Sequence, residues 1–443
     1  MSFKLLVDII DIRMDCAALR SDIDKLKDEL AILESDIEKI RKSEGRNEEL
    51  RNVVRLIDSN SVDMALEKYL EDFREHNPEV LLAITLGERI DIKDADGNPT
   101  GINSIAATKD GHVLVGGYDG ALYAGSYNEW GELKLGERID IRDAEEELAS
   151  INSIMVAKNG HVLIGGYSGI LYSGSYDKYG KLSLGEKIDV RDVYGNRADV
   201  YSVVATKDGH ALIGGNWGML CVGSYTGQGE LKLGELVEVK DVYKWPANIR
   251  SIAAINDRHA LIGGLGGVLY EGSCDGRAGL VLGERIDIRD AEEKPASIYS
   301  IATTKDGHVL IGGGKGALYA GSYDEYGKIV LGNRIDIRDA EGKPATINSI
   351  AVTDDGYVLI GGDKSALYVG SYDGQGRLTL SERIDIRDAE KKPASIYSFA
   401  VTDDGRVLIG GLEGALYVGS YNISSEALKR HLPEIIEKGE SGD

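Results

Sequence analysis

The chain has 443 residues, of which 42% are hydrophobic, too many for a disordered protein and enough for a large core. Its formal charge of −23 is spread along the chain, so its surface should repel nucleic-acid phosphates. Glycine is abundant at 57 and proline scarce at 7, which suits many tight turns rather than a Pro-rich linker.

The first residues, MSFKLLVDIIDIRMD, carry an apolar run broken by Asp8 and Asp11, a poor signal peptide. No apolar run approaches membrane-spanning length. Leu5, Ile9, Ile12, Cys16, Leu19, Ile23, Leu26, Leu30, Leu33, Ile37 and Ile40 then alternate steps of four and three. That spacing is a heptad seam and predicts a coiled-coil helix over 1–44. Leu19, Ile23, Leu26, Leu30, Leu33, Ile37 and Ile40 are the expected oligomerisation residues, joining two or three copies. An intramolecular helical bundle is the alternative. After Gly45, LRNVVRLID (50–58) and SVDMALEKYLEDF (61–73) read as short helices over 45–78, linking the arm to the repeat region.

From residue 79 to 421 the pattern changes. A glycine pair at 116–117 returns at 165–166, 214–215, 263–264, 312–313, 361–362 and 410–411, every 49 residues. A fixed period of this size indicates a propeller, a solenoid or an array. Each unit reads as four short strands. In the first these are INSIAAT (102–108), HVLVGG (112–117), ALYAGSY (121–127) and LKLGERIDI (133–141), separated by Gly/Asp turns. Seven helix-free units of four antiparallel strands predict an all-β seven-bladed propeller, with a β-solenoid as runner-up. The last unit stops after its third strand, and a strand like the fourth, TLGERIDIKD (85–94), precedes the first unit. The N-terminal strand should therefore complete the last blade and close the ring. Residues 422–443, including SSEALKRHLPEIIEK, read as a C-terminal helix and tail.

The apolar-GG pair with a later tyrosine resembles kelch-type repeats. DGHVLIGG…GALY.GSYD..GKL is also similar to the propeller repeats of sensor regulators and quinone-cofactor dehydrogenases. The resemblance covers about four-fifths of the chain. It implies the propeller fold and a habit of binding partners, and it carries over no catalytic residue. Leu133 and its equivalents stand where kelch repeats place tryptophan.

Most recurring residues have structural explanations. Seven glycine pairs cannot all be nucleotide loops, and no helix follows them to hold a phosphate; turn geometry or close approach is the expected role. Tyr123, Gly125 and Tyr127 share one strand face and suggest aromatic cover over a bare glycine. Arg89, Asp91 and Lys93 share a charged face suited to rim ion pairs. His112, His161, His210, His259 and His308 recur at one position, but Tyr357 and Arg406 replace them in the last copies, which argues against a metal ring. Cys16, Cys221 and Cys274 make no metal or disulfide spacing. No cofactor is expected.

Differences between the copies point to a site. The second-to-third-strand turns and the fourth-to-first-strand crossing loops fall on one face of a propeller. Residues after the glycine pair vary there: Tyr118, Tyr167, Asn216-Trp217, Leu265, Gly314, Asp363 and Leu412. So does the second residue of the inner strand: Asn103, Asn152, Tyr201, Arg250, Tyr299, Asn348 or Tyr397, at the channel mouth. The third and fourth units diverge most, with Trp217 in a turn, Tyr243 and Trp245 in the crossing loop DVYKWPAN, and Arg250 after it. Trp, Tyr and Arg dominate interface energies. A partner site of Trp217, Tyr243, Trp245, Arg250, Asn216, Tyr201, Tyr299, Tyr118 and Tyr167 is expected, unless the tryptophans merely pack loops onto the blades.

The reading is a cytoplasmic, non-catalytic scaffold, oligomerised by its arm and presenting a propeller face to a protein partner, with no nucleic-acid or membrane partner. The sequence holds no G-x-S-x-G, H-E-x-x-H or P-loop. Two alternatives are an enzyme, hydrolase or lyase, with Arg250, Tyr201 and Tyr299 at the channel mouth, and a lectin-like glycan-binding propeller.

Overall fold

A computed structural model describes residues 82–423, apart from short stretches at 109, 129–131, 158, 177–180, 207–208, 226–229, 257–258, 275–278, 324–327, 354–355, 373–376, 382, 389–390 and 403–404. The coiled-coil arm, its linking helices and the C-terminal helix expected from sequence lie outside the described residues.

Seven antiparallel sheets follow one another along the chain. Blade 1 consists of Ile102–Ala107, His112–Gly117, Ala121–Tyr127 and Leu133–Asp140, paired in sequence order. The next five blades repeat it, except that the outer strand of blade 5 is split into Ile329–Leu331 and Ile335–Asp336 and that of blade 6 is shortened to Leu378–Leu380. Blade 7 draws Ile396–Val401, Arg406–Gly411 and Ala415–Ile423 from the end of the repeat region, and its outer strand is Leu82–Asp91. The ring closes as the sequence predicts.

The burial gradient explains the sequence pattern. The second strand of a blade is covered on both faces by its neighbours, so HVLVGG is buried from Val113 to Gly117 and reads as a continuous apolar run. The outer strand has one wet face, and Leu133–Asp140 correspondingly alternates. The cores lie between blades. Leu114 and Leu122 of blade 1 pack with Ile151, Val162 and Ile164 of blade 2. Across the closure, Ile102, Val113 and Val115 pack with Leu408 and Leu416.

The glycine pair serves this packing. A Cβ on Gly116 would stand 2.6 Å from Ile151 Cγ2 in the next blade, and one on Gly117 would stand 2.5 Å from the Gly101 carbonyl. Positive φ belongs to the residues that come next, Asp119 at 51° and Gly120 at 67°. The pair is thus a close-approach device at the end of a strand rather than part of the turn.

Two rings of hydrogen bonds and a third, partial ring of stacked side chains tie the blades together. Ser104 Oγ accepts the Ile154 N–H at 2.8 Å on the inner strand of the next blade, and Ser398 does the same for Ile105 at 2.9 Å across the closure. The Tyr123 hydroxyl donates to the Lys93 carbonyl of the preceding blade at 2.9 Å, with equivalent bonds from Tyr172, Tyr270, Tyr319 and Tyr368. Cys221 takes that tyrosine position in blade 3, where burial pushes its thiol up to about 12. Leu135, not tyrosine, fills the space over Gly125. On the third ring, His112, His161 and His308 stack on Tyr176, Tyr225 and Tyr372 of the following blades, with centroids 5.0, 4.4 and 4.3 Å apart. Arg406 lies over Tyr127 in the same way at 4.2 Å. A guanidinium lies on the tyrosine as an imidazole does, which is why Arg is tolerated at 406, while His210 instead meets Ser224 Oγ at 2.8 Å. Arg–Asp pairs line the outer strands, as at Arg138–Asp140 and Arg89–Asp91.

Candidate functional site

The turn after each glycine pair is tight. In blade 1 the Tyr118 carbonyl accepts the Ala121 N–H at 3.1 Å, and both central residues have positive φ. This is a type I′ hairpin, whose twist matches that of the strands. The turn is tethered to the next blade: Asp119 N–H meets Ser150 Oγ at 3.3 Å, Ser168 N–H meets Asp199 Oδ1 at 2.9 Å and Trp217 N–H meets Asn248 Oδ1 at 3.3 Å. Turns and crossing loops therefore share one face, here called the upper face.

An aspartate fixes each crossing loop. Asp241 Oδ1 accepts the Tyr243 and Trp245 N–H groups at 2.8 and 2.9 Å, and Asp94, Asp143, Asp192, Asp290 and Asp339 bind their own loops alike. These repeated aspartates are spent on backbone amides. The loop framework is consequently rigid while its side chains differ.

Those differences are chemical. In the loop leading into blade 5, Glu292 pairs with Lys294 at 2.8 Å and with Lys315 in the following turn at 2.6 Å. Glu341 pairs likewise with Lys343 at 2.7 Å and Lys364 at 3.0 Å. The two lysines hold each carboxyl down at about 2, through hydrogen bonds first and charge second. Ahead of blade 4 the same loop positions carry Tyr243 and Trp245, and ahead of blade 3 the loop and turn positions of the Glu292–Lys315 pair carry Tyr194 and Trp217. Aromatic rings thus replace ion pairs in this sector alone. They are not packed onto the blades: Trp217 is 54% exposed, Tyr194 64%, and Tyr243 and Trp245 70% each. Sequence reasoning missed Tyr194, although DVYG aligns with DVYK and would have shown it.

Trp217 also stands at φ 51°, the first central position of its type I′ turn. Glycine, Asn and Asp suit that conformation, and a bulky side chain there is a strained choice.

Nearer the channel, each inner strand slips register at its second residue. Ile102 pairs with Gly117 and Ser104 with Gly116, which leaves Asn103 as a bulge. Bulges re-aim side chains. Asn103, Asn152 and Asn348 use the position structurally, donating to the carbonyls of Ile151, Val200 and Ile396 in the next blade at 3.0 to 3.1 Å. Tyr201 and Arg250 do something else. The Arg250 guanidinium lies 3.9 Å from the Tyr201 ring centroid, and Tyr167 meets that ring edge-on at 6.1 Å. The Tyr201 hydroxyl donates to Asp199 Oδ2 at 3.2 Å, and Asn216 Nδ2 donates to the same oxygen at 3.0 Å. Burial pushes the Tyr201 phenol up to about 12 against the pull of Arg250.

The structure therefore joins Tyr167, Tyr201, Asn216 and Arg250 in one cluster and tethers Trp217 to the loop that carries Tyr243 and Trp245. Tyr118 is 37% exposed, with its ring against Gly101. Tyr299 lies beside the Gly314 turn. Among the described residues, no group of three His, Cys, Asp or Glu side chains could hold a metal ion, and no helix is long and apolar enough to cross a membrane.

No family model and no curated protein matches the chain. Among solved structures, a chain from the crystal structure of a mitotic checkpoint complex superposes with a TM-score of 0.54 at 13% identity, covering 76% of this chain and 92% of that one. At that identity the likeness is one of architecture, and it agrees with the seven closed sheets: the chain is a seven-bladed β-propeller protein.

Proposed function

We propose that this protein is a non-catalytic scaffold that grips a protein partner on the upper face of blades 3 and 4. The observation that carries this reading is the exchange of ion pairs for the exposed Tyr194, Trp217, Tyr243 and Trp245. Exposed aromatics on a hydrogen-bonded frame are the usual anchors of protein interfaces. Arg250, Tyr201, Tyr167 and Asn216 extend the face towards the channel, with Tyr118 and Tyr299 on its flanks. The superposed chain comes from a mitotic checkpoint complex, a setting compatible with this use of a propeller.

The heptad seam from Leu19 to Ile40 supports self-association, which would present two or three such faces and raise avidity without new contacts. The charge of −23 supports a partner other than nucleic acid, and a cytoplasmic setting fits the scattered cysteines. The test is affinity capture with the full chain against a Trp217→Ala, Trp245→Ala variant whose thermal melt is unchanged. Equal capture of the same proteins by both chains refutes the face. Sedimentation as a monomer at micromolar concentration refutes the self-association.

A further inference from the structure

We propose that the partner segment is an acidic peptide, and that Arg250 and Lys244 receive its carboxylates. This rests on the upper-face reading above and names the chemistry that face recognises. Arginines of the outer strands have carboxylate partners, as at Arg138–Asp140, Arg285–Asp287, Arg334–Asp336 and Arg383–Asp385. Arg250 has no ion pair among the described residues; its Nε is buried without a hydrogen-bond partner, as is that of Arg138, so the missing carboxylate is what sets it apart. A donor buried this deeply is closed to an outside acceptor, so a partner's carboxylate would meet the terminal nitrogens of the half-buried guanidinium. The position does not demand arginine for the fold, because Asn103, Asn152 and Asn348 fill it by bonding the next blade. The Tyr201 ring, 3.9 Å from its Cζ, positions the guanidinium, whose terminal nitrogens suit a carboxylate.

The charge around it agrees. The crossing loops ahead of blades 2, 5 and 6 carry exposed glutamates, Glu145 to Glu147, Glu292, Glu293 and Glu341, and the loop ahead of blade 1 carries the exposed Asp96. The loops DVYGNRAD and DVYKWPAN, ahead of blades 3 and 4, have none. Their aspartates are engaged: Asp192 and Asp241 by loop amides, Asp199 by Ser168 N–H, Tyr201 and Asn216. Of the cations nearby, Arg197 is paired with Glu145 and Asp189, and Lys240 with Glu238. Lys244 is exposed between Tyr243 and Trp245 with no ion pair among the described residues. A chain of net charge −23 thus keeps two uncompensated cations beside its exposed aromatics. A carboxylate-bearing peptide complements that sector, and a basic one does not.

The experiment is selection of a displayed library of random linear heptapeptides on the full chain, followed by calorimetric titration of the enriched peptides and of their Glu-to-Gln and Asp-to-Asn counterparts. Arg250→Gln, Arg250→Lys and the Trp217→Ala, Trp245→Ala pair are titrated in parallel, each with a thermal melt to establish folding. The expected result is enrichment of Asp and Glu, at least a tenfold weaker Kd on Arg250→Gln, partial recovery with Arg250→Lys, and a similar loss on neutralising the peptide. Enrichment of basic or neutral peptides, an unchanged Kd on Arg250→Gln, or no enrichment overturns the proposal. Neutral or basic peptides that still depend on the two tryptophans would overturn the carboxylate assignment and leave the upper face standing. Binding indifferent to all the variants would overturn both.

Discussion

The Arg250 guanidinium lies 3.9 Å from the centre of the Tyr201 ring, one blade away, at two bulge positions that asparagine fills in blades 1, 2 and 6 and tyrosine in blades 5 and 7. The contact crosses the interface between blades 3 and 4. Cation–π contacts of this kind contribute about 0.5–2 kcal/mol, more as they are desolvated.

The surroundings of Tyr201 lead to a prediction about alkaline pH. Burial pushes the phenols of Tyr176, Tyr201, Tyr225 and Tyr397 up to about 12 from an ordinary 10. The folded state therefore holds protons that the unfolded chain releases near pH 10. Stability from these groups is complete below pH 10 and is lost as pH rises towards 12. Tyrosinate absorbance of the folded chain should lag that of the urea-unfolded chain across this window, and Tm should fall within it. Coincident titrations would show that the rings are solvated.

The serine ring should contribute at every blade junction. Ser398→Ala removes the acceptor of the buried Ile105 N–H across the closure. An orphaned amide costs about 1–3 kcal/mol. Ser202→Ala, which frees Ile252 N–H elsewhere in the ring, should cost a similar amount. The sites share no partner, so the double variant should be additive within about 0.5 kcal/mol in urea unfolding.

At the glycine pair, the order of two effects can be checked. A Cβ on Gly410 would stand 2.6 Å from Ile102 Cγ2, while one on Gly411 would stand 2.4 Å from the Ser395 carbonyl oxygen. A side chain can shift by rotation, but this carbonyl is held by the Leu412 N–H at 3.2 Å. Gly410→Ala should cost about 1–3 kcal/mol, as overpacking does, and Gly411→Ala should cost more. Urea unfolding of the two variants measures the order.

The architecture was legible because one period carries it. A shift of 49 residues aligns every strand, and the missing fourth strand of the last unit implied the closure at Leu82–Asp91. The bulge was not legible, since it arises from the pairing of Ile102 with Gly117 and Ser104 with Gly116, and no residue type announces it. The same holds for the Tyr123–Lys93 latch, which joins residues 30 apart through a backbone carbonyl. At the site, sequence topology placed Trp217, Tyr243, Trp245 and Arg250 on one face but could not tell exposed rings from packed ones. Tyr194 escaped notice because its own unit holds no second aromatic in the loop, and only its register with Glu292 and Tyr243 gives it meaning.

Trp217 offers a test that separates fold from function. Its φ of 51° lies in the left-handed region, which costs an ordinary L-residue roughly 1–2 kcal/mol and costs asparagine less. The side chain is 54% exposed, so little packing offsets that strain. Trp217→Asn should therefore raise the unfolding free energy, by about 0.5–1 kcal/mol after the lost partial burial is allowed for. It should at the same time weaken partner capture several-fold, because the ring is removed from the upper face. Strain kept at an exposed aromatic is the expected mark of a residue held for binding. A destabilised Trp217→Asn chain would instead mean that the indole supports the blade 3 turn, and capture lost through that variant would then say nothing about a binding face.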